Sequence, residues 1–156
     1  MAFDEMDRMR ASVAREWMLR VSSLESRARS MRDAIDQARA LMLPKGMSLD
    51  GGSSTAAYAD AIPDGIAKLD AMVADYEAHL SALVDEERRA MRAIASLGWR
   101  QHREVLEARY LRGEGWTQIA ERTGYSLAAV KKHHRDALVL LYDRMPPDLR
   151  IIPEAV

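Results

Sequence analysis

The chain has 156 residues, 23 Lys+Arg against 24 Asp+Glu, and no cysteine. That length fits one domain, or a small domain on an extension, and the missing cysteines exclude disulfides, thiolate nucleophiles and cysteine-based zinc sites. With 8 glycines, 5 prolines and 6% aromatic residues, the composition favours an all-helical fold over a sandwich or barrel.

Residues 1–42 contain neither proline nor glycine. From Trp17 the apolar positions step by four and three: Trp17, Val21, Leu24, Ala28, Met31, Ile35, Ala38 and Met42. This spacing predicts one long helix with a heptad stripe, and Pro44 and Gly46 end it. Residues 44–57 read as a flexible Gly/Ser-rich loop. A second helix is expected to begin near Asp60–Asp64, with Pro63 in its first turn. Its stripe is Ile62, Ile66, Leu69, Val73, Tyr76, Leu80, Leu83, Glu87, Ala90, Ile94 and Leu97. Glu87 is costly in such a seam unless it lies near an open end or faces an arginine. Residues 1–97 are thus expected to form a coiled-coil-like helical hairpin around a loop at about 44–59. Two such stripes fold back on each other, pair with a second copy, or dock on the carboxy-terminal domain, and the spacing alone leaves these open.

Gly98 marks a break, after which residues 98–145 make a small separate domain. Residues 99–112 predict a shorter helix, stopped by Gly113-Glu114-Gly115. Thr117 is expected to cap the next helix, which ends before Gly124, and Ser126 to cap a last one through about Tyr142. Pro146-Pro147 forbids continuation, leaving 146–156 as a short loose tail. Charge follows the same division. The net charge is −3 over residues 1–97, +3 over 98–145 and −1 over the tail, so a basic block that also holds His102, His133 and His134 sits on an acidic chain. Such a block hints at a polyanion partner.

The stretch WTQIAERTGYSLAAVKKHHRDAL, residues 116–138, carries the functional signal. A helix-turn-helix needs a small residue where its helices touch, supplied by Ala120, and four residues later one tolerant of a left-handed backbone, supplied by Gly124. Ile119, Tyr125 and Val130 complete the motif core. Thr123 and His133 depart from it, standing where a larger aliphatic is usual. On the second helix, Leu127, Ala128, Lys131, Lys132, His134 and Arg135 are expected to point wholly or partly outward, the position from which such helices read base edges of double-stranded DNA. Arg112 and Arg122, near helix ends, suit phosphates, as do Thr117 and Gln118 at a helix amino end.

Residues 103–141 resemble the fourth conserved region of bacterial sigma factors. The order is shared: a helix ending in a Leu-Arg-Tyr-like stretch, a Gly-rich break, an Ile-Ala-Glu helix, a Gly turn and a helix finishing in Ala-Leu. The whole chain is similar in architecture to phage or prophage late-gene transcriptional regulators of the ArpU and RinA type. The resemblance implies major-groove insertion of Leu127, Ala128, Lys131, Lys132 and Arg135, with RNA polymerase as a further partner. The small or apolar residues at 127 and 128 remove polar base contacts that a promoter-reading domain commonly uses. No segment resembles the promoter-melting part of a full sigma factor, so a regulator is expected rather than a sigma replacement. Oligomerisation through the amino-terminal helices, as a homodimer or larger, would supply a second DNA-binding module.

Two rival readings share the motif: a DNA-packaging recognition subunit like a phage terminase small subunit, and a protein-interaction module with a degenerate helix-turn-helix. Enzyme activity is not expected, and neither is a metal or other cofactor. The serines cluster in the loop without a histidine partner, and adjacent His133 and His134 diverge by ~100° on a helix, a poor geometry for one metal. No apolar run approaches the ~20 residues that span a bilayer, and a soluble, cytoplasmic protein is the expectation.

Overall fold

The computed structural model describes residues 3–42 and 55–151, the side chains of 55–62 excepted. Every element within them is helical: α1 (Glu5–Met42), α2 (Thr55–Ala95), α3 (Arg100–Leu106), a π-helical turn (Glu107–Leu111), α4 (Trp116–Thr123), α5 (Leu127–Tyr142) and a 3-10 turn (Pro147–Leu149). The fold is all-α, a long helical hairpin followed by a helix-turn-helix. Among the described residues no helix is long and apolar enough to cross a membrane.

Two compact units divide the chain. One comprises Met1–Leu24 with Val84–Val156, the other Glu25–Leu83. This division cuts through both long helices and differs from a boundary at Gly98, because burial does not stop at the glycine. In the first unit Ala14, Trp17, Met18 and Val21 of α1 share one core with Ala90, Ala93 and Ile94 of α2. Leu106, Tyr110, Ala137, Leu138, Leu141 and Met145 complete that core. The Trp17 indole N–H donates to Glu86 Oε1 at 2.9 Å, so the largest side chain of this core also has its polar atom satisfied. Trp17, Met18, Ile94, Leu106 and Leu141 are all fully buried.

The apolar stripes mark the inner faces of both helices. Trp17, Val21, Ala28 and Ile35 are buried on α1, as are Leu83, Ala90 and Ile94 towards the end of α2 and Leu97 two residues beyond it. Antiparallel pairing is visible within each unit, Trp17 lying against Glu86 in one and Met42 beside Gly65 in the other. Glu87 is half-buried and lines a cavity with Glu107 and Arg112.

Three boundaries differ from expectation. Helix α2 begins at Thr55 and carries Pro63 inside it, not in its first turn. The alanines at 56, 57, 59 and 61 favour continuing the helix, and the proline removes only one backbone donor. Of the expected loop at about 44–59, residues 44–54 lie outside the described residues. The helix from residue 100 widens after Leu106, where Arg112 N–H reaches Glu107 O at 3.0 Å, a five-residue step that makes a π turn. The start of the tail is anchored, not loose: Met145 is buried, and the Tyr142 hydroxyl donates to Arg150 O at 3.2 Å. The rest of the tail, 152–156, lies outside the described residues.

Candidate nucleic-acid interface

A second, smaller core holds the helix-turn-helix together. Val105, Ala108, Ile119 and Val130 are fully buried, with Trp116, Ala120 and Tyr125 packed around them. Gly124 ends α4 in the left-handed region at φ 76°, ψ 4°, and its N–H donates to Ala120 O at 3.0 Å. An L-residue with a Cβ is strained there, so the glycine is a backbone requirement of the turn. Ser126 caps α5 by accepting from Ala129 N–H at 3.1 Å. Thr123, standing in place of an aliphatic, turns its hydroxyl back to Ile119 O at 2.6 Å and accepts from Tyr125 N–H at 3.4 Å, so the turn gains hydrogen bonds where it lacks bulk. Thr117 is not the cap of α4. The cap position falls on Gly115, whose carbonyl accepts from Ile119 N–H at 3.0 Å, and Thr117 lies one residue inside the helix.

Leu127, Ala128, Lys131, Lys132 and Arg135 are exposed along one face of α5. Their spacing of i, i+1, i+4, i+5 and i+8 keeps them on one side of the helix. Val130, Ala137, Leu138 and Leu141 occupy the other side and are buried. Thr117 and Gln118 are exposed at the amino end of α4. Arg112 and Arg122, from opposite ends of the segment, are brought together by one carboxylate: their Nε atoms donate to Glu114 Oε1 and Oε2, both at 3.1 Å. Burial works to raise the Glu114 pKa, and the two guanidiniums overcome it and hold the group below the ordinary carboxylate value. Glu114 thus occupies the space between two cations as a phosphate would, a feature visible only once the Gly113 turn at φ 67° folds the chain back.

His134 departs from the expected outward face. Its Nε2 lies 2.6 Å from the Tyr110 hydroxyl, and its ring meets Trp116 edge-on at 4.7 Å. Burial, then the positive charges of Arg15 and Arg109, pushes its pKa down to about 4. The imidazole is therefore neutral near pH 7. Burial also raises the Tyr110 pKa, so the hydroxyl keeps its proton and donates to the imidazole. The physical reason for the inward turn is the tryptophan at the start of α4, which offers a ring to pack on. Arg109 stacks over the other ring system of this cluster, 4.2 Å from the Trp116 centroid. His133 lies between His102 and Tyr125, at 6.0 and 5.4 Å between ring centroids. Burial lowers the His102 pKa, with His133 adding to the effect and Asp136 opposing it. Among the described residues no group of three His, Cys, Asp or Glu is placed to hold a metal.

Sequence reasoning missed the contribution of α1. Phe3 lies under the Arg135 guanidinium at 5.1 Å, and Arg8 and Arg15 line a cavity with His134 and Arg135. The signal was present as arginines seven apart, but nothing in a heptad pattern says which other helix such a row will face.

Residues 93–143 match the family Sigma-70, region 4. No curated protein and no solved structure matches the chain. With the left-handed glycine turn, the serine-capped second helix and the buried Ile119–Val130 core in place, residues 93–143 are a sigma-70 region 4 domain, a helix-turn-helix of the DNA-binding kind.

Proposed function

We propose that the chain is a sequence-specific DNA-binding transcription regulator that inserts the exposed face of α5 into the major groove. One observation carries this reading: Leu127, Ala128, Lys131, Lys132 and Arg135 lie exposed together on the second helix of a region 4 helix-turn-helix. Lys131, Lys132 and Arg135 supply guanine and phosphate contacts, and Leu127 and Ala128 meet thymine methyls. Arg112, Arg122, Thr117 and Gln118 take backbone phosphates. A single module of this size buries only ~600–1,000 Å² on DNA, so affinity calls for a second module or a tether. Leu19, Val84 and Met91, exposed on α1 and α2, support a homo-oligomer formed by the amino-terminal helices, and the region 4 domain supports contact with RNA polymerase. The chain acts in the cytoplasm as a binding protein, not an enzyme, and its architecture suits a phage or prophage late-gene regulator of the ArpU and RinA group.

The test selects bound fragments from the native genome and then measures their affinity over a potassium chloride series. Fragments are expected to centre on promoters. Lys131→Ala should weaken binding and lower the salt slope by ~0.9 if it loses one phosphate. Asp36→Ala, on α1 and far along the sequence from the motif, should change neither. Unaltered affinity and slope in both Lys131→Ala and Lys132→Ala would remove the proposed reading face.

A further inference from the structure

We propose that the cavity between the amino end of α1 and the second half of α5 is a phosphate-binding site. Its volume is about 270 Å³, and its polar lining consists of Arg8, Ser12, Arg15, His134 and Arg135. Phe3 and Leu138 are among its apolar walls, and no carboxylate lines it. That volume lies below the ~300–1,000 Å³ of pockets for drug-sized ligands, which suits a single anionic group. Arg8, Ser12 and Arg15 stand at i, i+4 and i+7, so they form one row on α1, roughly 10 Å from end to end at 1.5 Å per residue. The row and Arg135 line the same cavity, and Ser12 stands between the two arginines of the row.

The local acids are engaged elsewhere. Asp4 caps α1, its Oδ1 accepting from Asp7 N–H at 2.7 Å, and Asp7 lies 3.8 Å from Arg10. Arg135 has Asp136 at 3.9 Å, an exposed contact of little strength, and Phe3 under its plane. Neither Arg8 nor Arg15 forms an ion pair among the described residues. Arg8 and Arg15, cations of one cavity without an ion-pair partner, are stabilised by a bound oxyanion, and guanidiniums present forked donors that match phosphate. The low pKa of His134 reports the same positive surroundings, with Arg15 among its causes after burial.

A duplex backbone and a free phosphate offer the same oxygens. Arg135 also belongs to the exposed face of α5, so a backbone phosphate reaching this cavity would sit at the edge of that face. The site itself does not depend on what the rest of α5 reads.

The experiment uses the full chain and the double variant Arg8→Ala/Arg15→Ala, with Arg8→Lys/Arg15→Lys as the charge-preserving control. One arm titrates inorganic phosphate and pyrophosphate and follows the thermal midpoint. The other measures binding of a selected genomic duplex against potassium chloride concentration, with Lys131→Ala alongside. If the phosphate belongs to a duplex, the alanine pair binds it about tenfold more weakly. The salt slope then falls by ~0.9, for the one phosphate lost, and the lysine pair restores both in part. If the source is a free phosphate, pyrophosphate raises the midpoint of the wild type and not of the alanine pair, whether or not any duplex binds. Equal responses of the wild type and the alanine pair in both arms overturn the site. In that case Lys131→Ala still reports independently on the face of α5.

Discussion

Acid should destabilise this protein through His134 by an amount set by its surroundings. The imidazole is pushed from its ordinary 6.5 down to about 4 by burial, then by Arg15 and Arg109. In the unfolded chain it titrates normally. Between those two values the unfolded chain holds more protons than the folded one, so stability rises with pH across the window and is lost as pH falls through it. At ~1.4 kcal/mol per pH unit of displacement, the full loss is about 3 kcal/mol. About 1 kcal/mol of it is already gone near pH 5.5, where the unfolded imidazole is mostly protonated and the folded one is not. The measurement is urea unfolding followed by circular dichroism at about pH 7, 5.5 and 4.5 for the wild type and His134→Gln. Glutamine keeps an acceptor for Tyr110 and cannot take up a proton in this range. The wild type should lose about 1 kcal/mol of stability relative to the variant between the first two pH values. Carboxylate titrations common to both chains cancel in that difference. A stability difference that stays constant with pH refutes the reasoning, because His134 would then titrate alike in both states.

Three further changes test other parts of the structure. Glu114→Gln breaks two exposed ion pairs, each worth ~0.2–1 kcal/mol, so unfolding should show a loss of at most about 2 kcal/mol. The same change frees Arg122, leaves Arg112 only its 4.0 Å contact with Glu107, and should tighten duplex binding with a steeper salt slope, and weaker binding would show that Glu114 orients the pair rather than masking it. Trp17→Ala removes a fully buried ring and its bond to Glu86 and should cost about 3–5 kcal/mol, read as a lower urea midpoint. Gly124→Val places a β-branched residue at φ 76° where its Cβ meets nothing within 4 Å, so the cost of about 1–2 kcal/mol is backbone strain alone, and Gly124→Asn should recover part of it.

Much of the fold was legible because periodicity reports directly on burial. The stripe from Trp17 to Ile35 and the one ending at Leu97 are the inner faces of α1 and α2, and the Ala120–Gly124 spacing locates the turn. What escaped was whatever depends on the partner of a face. Ala14 and Met18 flank the heptad stripe and are nonetheless fully buried, because the start of α1 packs against the last helices as well as α2. His134 has the helical position of an outward residue and the neighbours of an inward one. The π turn at Glu107–Leu111 left no compositional trace, since Arg112 bonding five residues back instead of four requires no special side chain. Proline was the misleading signal: Pro63 marks a helix start by habit, yet α2 runs eight residues ahead of it.

The shared core changes what counts as the DNA-binding unit. Leu138 and Leu141 lie on the inner side of α5 and belong to one buried core with Trp17 and Met18 from α1 and Ile94 from α2. A region spanning 98–145 alone would expose those side chains along with Leu106, Tyr110 and Met145, and fully burying each side chain of that kind is worth ~1.5–3 kcal/mol. Several such losses together are comparable with the 5–15 kcal/mol that ordinarily separates folded from unfolded chains. The match to region 4 begins at residue 93, on the last turn of α2 and ahead of Gly98, which agrees with burial continuing across the glycine. The helix that reads a duplex in this proposal thus shares its core with residues more than a hundred positions away, and a change in the packing of α1 at Trp17 alters the core on which α5 rests.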